Sequence, residues 1–364
     1  MDRRIVIGTV LLTLLATGPV LAGFGAAELL YIPVASHSPG AVGSLWRTDL
    51  YITNVDDVAI DVAIAYLPSG LHSNGPVFFT RDTWLGGREE DEFGLINEDL
   101  ADIPPNGTVV IRDIVGDYWV DRLGQNGNGA LVLTIYEADT LEPDGTNVAA
   151  LAISIARIYN QATIYVPDPD NVGDFLEKNG QYGQAMPGVP WYNFADGGAV
   201  DETIDFSFEE LTGGEENSRL RYNVGMVNAS DPLTSLTVRI QPFQPTGEPY
   251  LDEVENEIRT IVALPPGAQI QLFRPFRDDW GVEEAEGATV QVAIEGWSSQ
   301  GANPIPMMTS YGSMVNNNTG DPTSILPSFA YPYDIECMWG SPDPPGAGKG
   351  ALVKRRPIEI PPSR

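Results

Sequence analysis

Histidine and cysteine are nearly missing from this chain, with two and one in 364 residues. The lone Cys337 cannot close an internal disulfide, so stability must come from packing, and it lies far from the N-terminal position a lipid-bearing cysteine would take. One cysteine and the separated His37 and His72 cannot supply a conventional structural zinc set. A Ser-His-Asp hydrolase needs a histidine base. His37 stands between Ser36 and Ser38 with Asp49 downstream, but no Gly-x-Ser-x-Gly elbow accompanies it, and a loop histidine bonded locally is the simpler reading. Basic residues are scarce as well. Twenty Lys and Arg against 50 Asp and Glu leave a net charge of −30, which repels nucleic-acid phosphates and anionic lipid. Beyond the N-terminus no apolar run approaches the roughly 18 residues of a membrane-spanning helix.

The first 22 residues bear on location. Asp2-Arg3-Arg4, an apolar stretch over 5–15 and Val20-Leu21-Ala22 have the order of a secretory leader, with an uncleaved anchor as the alternative. Residues 1–22 are therefore expected to be removed, leaving a secreted protein, extracellular or periplasmic, that does not span the membrane after cleavage.

What is abundant is repetition. Arg47-Thr48-Asp49-Leu50-Tyr51-Ile52-Thr53-Asn54 is echoed by Arg221-Tyr222-Asn223-Val224-Gly225-Met226-Val227-Asn228, Pro104-Pro105-Asn106-Gly107 by Pro265-Pro266-Gly267, and Asn128-Gly129-Ala130-Leu131 by Glu286-Gly287-Ala288-Thr289. Order is kept while loop lengths drift, the mark of two similar modules in tandem. Short runs of β-branched and aromatic residues separated by Pro, Gly and Asn turns predict about seven strands per module and no convincing amphipathic helix. The expected fold is all-β: two tandem immunoglobulin-like antiparallel sandwiches, since a propeller would need more copies. The expected organisation is a leader at 1–22, module 1 at 23–165, a linker or junction loop at 166–200, module 2 at 201–322 and an extended or disordered Pro-rich tail at 323–364. Arg47 and Arg221, each before the strongest strand of its copy, are expected to do matching structural work.

The landmarks Trp46-Arg47-Thr48-Asp49-Leu50, Pro104-Pro105-Asn106-Gly107, Arg157-Ile158-Tyr159-Asn160 and Gly180-Gln181-Tyr182-Gly183-Gln184 resemble those of an uncharacterised family of secreted bacterial tandem β-sandwich proteins, over residues 29–322. That family has no established activity. The resemblance implies export and paired β modules, and brings no catalytic residue with it.

Two constellations remain. Asp168, Asp170, Asn171 and Asp174, with Gly173 among them, place oxygen donors as a calcium loop does, although Val172 and Asn179 occupy positions where an EF-hand carries ligands; a solvated acidic turn is the alternative. Glu89-Glu90-Asp91-Glu92 reads as surface charge. Seven tryptophans raise sugar stacking, with Trp84 and Trp191, in loops, as the candidates and Trp46 and Trp297 assigned to core. No catalytic residue and no cofactor other than possible Ca²⁺ is expected. The leading expectation is a secreted, non-enzymatic structural, adhesive or interaction protein whose partner is an unknown protein or glycan. The alternatives are a carbohydrate-binding β-protein and a glycoside-type hydrolase using acidic residues.

Overall fold

The computed structural model describes residues 25–40, 45–70, 84–85, 98–121, 124, 126–140, 147–167, 175–196, 208–231, 233–301, 306–317 and 320–330. The expected leader, His72, the acidic run 89–92, the calcium candidates Asp168, Asp170, Asn171 and Asp174, and Cys337 lie outside the described residues.

Strand makes up 61% of the structure and helix 8%, so the all-β class stands. The first half forms β1 (Leu29–Ser36), β2 (Ser38–Pro39), β3 (Leu45–Asn54), β4 (Ile60–Pro68), β5 (Trp84–Leu85), β6 (Thr108–Ile111), β7 (Asn128–Glu137), β8 (Ala152–Pro167), β9 (Phe175–Pro187) and β10 (Val189–Pro190). The second forms β11 (Ala195–Asp196), β12 (Phe208–Glu216), β13 (Leu220–Asn228), β14 (Thr234–Phe243), β15 (Thr260–Leu264), β16 (Gln269–Phe273), β17 (Ala285–Ser299), β18 (Met307–Asn316), β19 (Pro322–Ile325) and β20 (Ser328–Ala330).

Antiparallel pairing gathers these strands into four five-stranded sheets. The order β10-β1-β7-β4-β5 in the first half recurs as β20-β12-β17-β14-β15 in the second, and β6-β3-β8-β9 recurs as β16-β13-β18-β19. The duplication read from the sequence is thus a duplication of pairing. Its consequence differs from the expected one. The four small sheets stand in a ring, the arrangement of a four-bladed β-propeller, and not as two tandem immunoglobulin-like sandwiches. Each repeat supplies two sheets, so two repeats suffice for four blades where more copies were expected to be needed.

Burial shows why a sandwich does not describe the first half. In a sandwich each sheet keeps one solvated face. Here β4 is buried along its whole length and β7 over eight consecutive residues. Successive side chains of a strand point to opposite faces. Accordingly Leu30, Ile32, Ile64, Tyr66, Leu131 and Leu133 join the core shared with β3, β6 and β8, whereas Leu29, Tyr31, Ala65, Leu67, Ala130 and Val132 meet Val227, Ala229 and Met307 of the second half. A separate core holds Leu211, Val224, Val238, Phe276 and Val290 of the second half. Segment 166–200, expected as linker or junction loop, contributes β9, which pairs along β8 from Ile155 to Pro167, and β10, which closes on β1.

The echoed asparagines hold each copy together in the same way. Asn54, fully buried, donates from Nδ2 to the carbonyls of Val58 (2.8 Å) and Ile103 (2.9 Å). Asn228 donates to those of Thr234 and Leu264, both at 2.9 Å. In each copy the amide ties the end of a strand to the segment beside the Pro-Pro turn, and its Oδ1 accepts an N–H two residues on. Replacing Asn228 by Asp is expected to destabilise the protein by about 1–3 kcal/mol above pH 5, because a carboxylate cannot donate and leaves buried carbonyls unpaired. Urea melts of N228D and N54D check this, and unchanged midpoints in both would refute it.

Candidate functional site

A cleft of about 270 Å³ opens where the two copies meet, lined from the first half by Val34, Ser36, Ser38, Trp46, Ser69, Asn128 and Gln184 and from the second by Arg221, Asn223, Gln269, Gln271, Phe273, Tyr311 and Ser313. It lies just below the ~300–1,000 Å³ usual for small-molecule sites, large enough for a small ligand or one end of a longer chain.

Register builds its second wall. Arg221, Asn223 and Gly225 alternate along β13 and so share a face. Asn223 stands opposite Phe273 and Gly225 opposite Gln271 on β16, while across β18 they face Ser313 and Tyr311. Gly225 is required here by close approach: a Cβ would lie 2.1 Å from the Tyr311 ring. The Tyr311 hydroxyl donates to Gln271 Oε1 at 2.6 Å and accepts from Gln269 Nε2 at 3.1 Å. Burial pushes its phenol upward, which keeps it a donor.

That chain orients the Gln269 amide and leaves its Oε1 without a partner, although Gln269 is only 2% exposed; Asn223 Oδ1, on a residue 5% exposed, is in the same position. An unpaired buried acceptor costs about 1–3 kcal/mol, so both call for donors from the cleft. The first wall carries its own polar cluster. Ser36 Oγ and Ser38 Oγ meet at 2.9 Å and both donate to Asn128 Oδ1.

The same face in the first copy is tied together by ion pairs and hydrogen bonds around Asp49 and Asp113. Asp49, the counterpart of Asn223, accepts from Arg112 (2.5 Å), from the Asp113 N–H (3.1 Å) and from Tyr159 (3.3 Å). Arg47 donates to Asp113 at 2.7 Å and His37 Nδ1 lies 2.9 Å from the same carboxylate. In the second copy Asp49 has become Asn223, Arg112 has become Phe273 and Tyr51 has become Gly225, so the Asp49–Arg112 ion pair is gone and aromatic surface is exposed: Phe273 is 64% accessible.

The residues singled out by type are distributed otherwise. His37 bonds Asp113, and Ser36 and Ser38 turn to Asn128, so no Ser-His pair forms among them. Trp191 packs against two hydrophobic cores and sits edge-on to Tyr192, ring centroids 5.9 Å apart. Trp84 belongs to β5, opposite Ala65. Trp46, assigned to core, lines the cleft as well as packing on the first core. Arg47 and Arg221 do not do matching work: Arg47 pairs with Asp113, while Arg221 reaches Asn317 Oδ1 at 3.4 Å. Among the described residues no group of three or more His, Cys, Asp or Glu could hold a metal, and no helix is long and apolar enough to cross a membrane. The polar residues of the cleft are mostly Ser, Asn and Gln, which carry no motif. Position-by-position comparison of the two copies would have found them.

No protein-family model matches the chain, and no curated protein matches it.

Proposed function

We propose that this chain is an exported, non-enzymatic binding protein whose cleft between the two copies takes a polyhydroxylated ligand of the sugar class. The observation that carries this reading is the pair of buried, unpartnered acceptors, Asn223 Oδ1 and Gln269 Oε1, in a cleft edged by Trp46, Phe273 and Tyr311. Sugar hydroxyls supply donors to such acceptors, and the C–H face of a sugar ring fits apolar aromatic surface. Glycoside hydrolysis calls for two carboxylates flanking the bond, and the described lining contains none, which favours binding over turnover. Export rests on the leader-like N-terminus and on the resemblance to a secreted family.

The test is an array of neutral and charged glycans probed with the full chain, followed by calorimetry on any ligand found. Q269A is expected to weaken binding about tenfold or more, the loss of roughly one hydrogen bond at 1.4 kcal/mol or above, with the melting temperature little changed. A folded protein that binds no glycan on the array would overturn the reading.

A further inference from the structure

Arg221 is the single charged residue among the described lining of the cleft. Its counterpart Arg47 shows what an arginine at this position does when the fold supplies an acid, namely a 2.7 Å contact to Asp113. Asp113 follows β6 in a left-handed conformation, φ 43°, and the residue that follows β16 in the same conformation, φ 52°, is Arg274. Where the first copy sets an acid against its arginine, the second therefore sets a second arginine. Arg274 has its own acid, with Nε 3.5 Å from the buried Glu216. Arg221 has none among the described residues, and its protein partner is the amide oxygen of Asn317 at a long 3.4 Å. Partial burial and the neighbouring Arg274 both push the Arg221 guanidinium downward from its usual range. It nonetheless stays protonated, because arginine does not release its proton in proteins.

We propose that the cleft selects acidic saccharides, with Arg221 pairing the carboxylate of a uronate-type residue while Asn223 and Gln269 accept its hydroxyl protons. This rests on the sugar-binding reading above and narrows it. A carboxylate is the planar two-oxygen acceptor that matches the guanidinium fork. It also provides the counter-charge that the acid at the Asp113 position provides in the first copy. The net charge of −30 does not forbid an anionic ligand, since at physiological salt exposed charges beyond about 8 Å are largely screened and no acid is among the described residues lining the cleft.

The experiment compares oligogalacturonides with their carboxyl-reduced counterparts, which keep length and linkage and lose only the charge, by calorimetry on the full chain and on R221Q and R221K. The expected result is at least about tenfold tighter binding of the acidic form, equivalent to 1.4 kcal/mol, weakening with salt. R221Q should abolish that preference, bringing the acidic form down to the affinity of the reduced form, and R221K should retain part of it. Equal binding of both forms by the wild-type chain, or a preference that survives in R221Q with an unchanged melt, would overturn the proposal and leave the sugar-binding reading standing. Failure to bind either form, together with silence on the neutral glycan array, would remove both.

Discussion

Replacing Trp119 with alanine is expected to lower the unfolding free energy by about 3–5 kcal/mol, the usual cost of emptying a large buried aromatic site. Trp119 is 1% exposed and lies in the helical turn Gly116–Val120 that follows β6. It stacks on Tyr66 of β4 with ring centroids 5.2 Å apart and planes at 27°, and the Tyr66 hydroxyl donates to the Asn126 carbonyl. One indole thus fastens a helical turn to a central strand and, through Tyr66, to the loop before β7. Phenylalanine should recover part of the loss by keeping the stacking. Denaturant titration of W119A and W119F measures both, and a loss under ~1 kcal/mol for W119A would show that the site collapses around the gap or is already loose.

A pH dependence of comparable size is expected from Glu209. It lies on β12, is fully buried, and accepts from the Ser310 N–H and hydroxyl of β18, both at 2.5 Å, joining two sheets. Burial outweighs these hydrogen bonds and raises its pKa from 4.5 to about 8. The folded state therefore holds a proton that the unfolded chain has released between those two values. Stability from this group is fully present below about pH 4.5, falls at up to about 1.4 kcal/mol per pH unit as pH rises towards 8, and levels off above that. E209Q keeps a neutral acceptor for Ser310 and has nothing to titrate. Its melting temperature should match wild type near pH 5 and exceed it near pH 9. Parallel curves for the two proteins across that range would rule the account out.

Local features of the fold were legible in the sequence because they depend on local chemistry. The strict alternation of Thr234–Phe243 gives β14 with every second residue buried at its start. The Pro-Pro turns stand where Asn54 and Asn228 reach back to secure them. Sheet membership was not legible. Alternation tells which residues share a face but not what covers that face, so the expected pair of sandwiches gave way to four sheets. The near-continuous apolar runs Ile60 to Leu67 and Ala130 to Tyr136 were the available signal, since burial on both faces erases alternation.

The cleft was hidden for a related reason. Its residues run from Val34 to Pro322, and Ser, Asn and Gln attract no notice beside His37, Trp84 or the aspartates at 168–174. What would have exposed it was the set of differences between the copies. Asp49 against Asn223, Arg112 against Phe273 and Tyr51 against Gly225 all change on one sheet, removing charge and bulk from one surface, while Asp113 against Arg274 reverses the charge at its edge. Where two copies share a scaffold, the positions at which they disagree are the better guide to a site.

The sheet built on β1, β4 and β7 has a consequence for anyone wishing to cut the molecule. Leu29, Tyr31, Leu67 and Val132 on one of its faces rest against Val227, Ala229 and Met307 from the other half, and Gly70 N–H bonds the Gln269 carbonyl at 3.0 Å across the same junction. A fragment ending before β12 would display that greasy face to water and seek a substitute for the missing half, most readily another copy of itself. The repeats therefore make poor building blocks: each is half of a single object, and shuffling or grafting either one alone would carry an open wound with it.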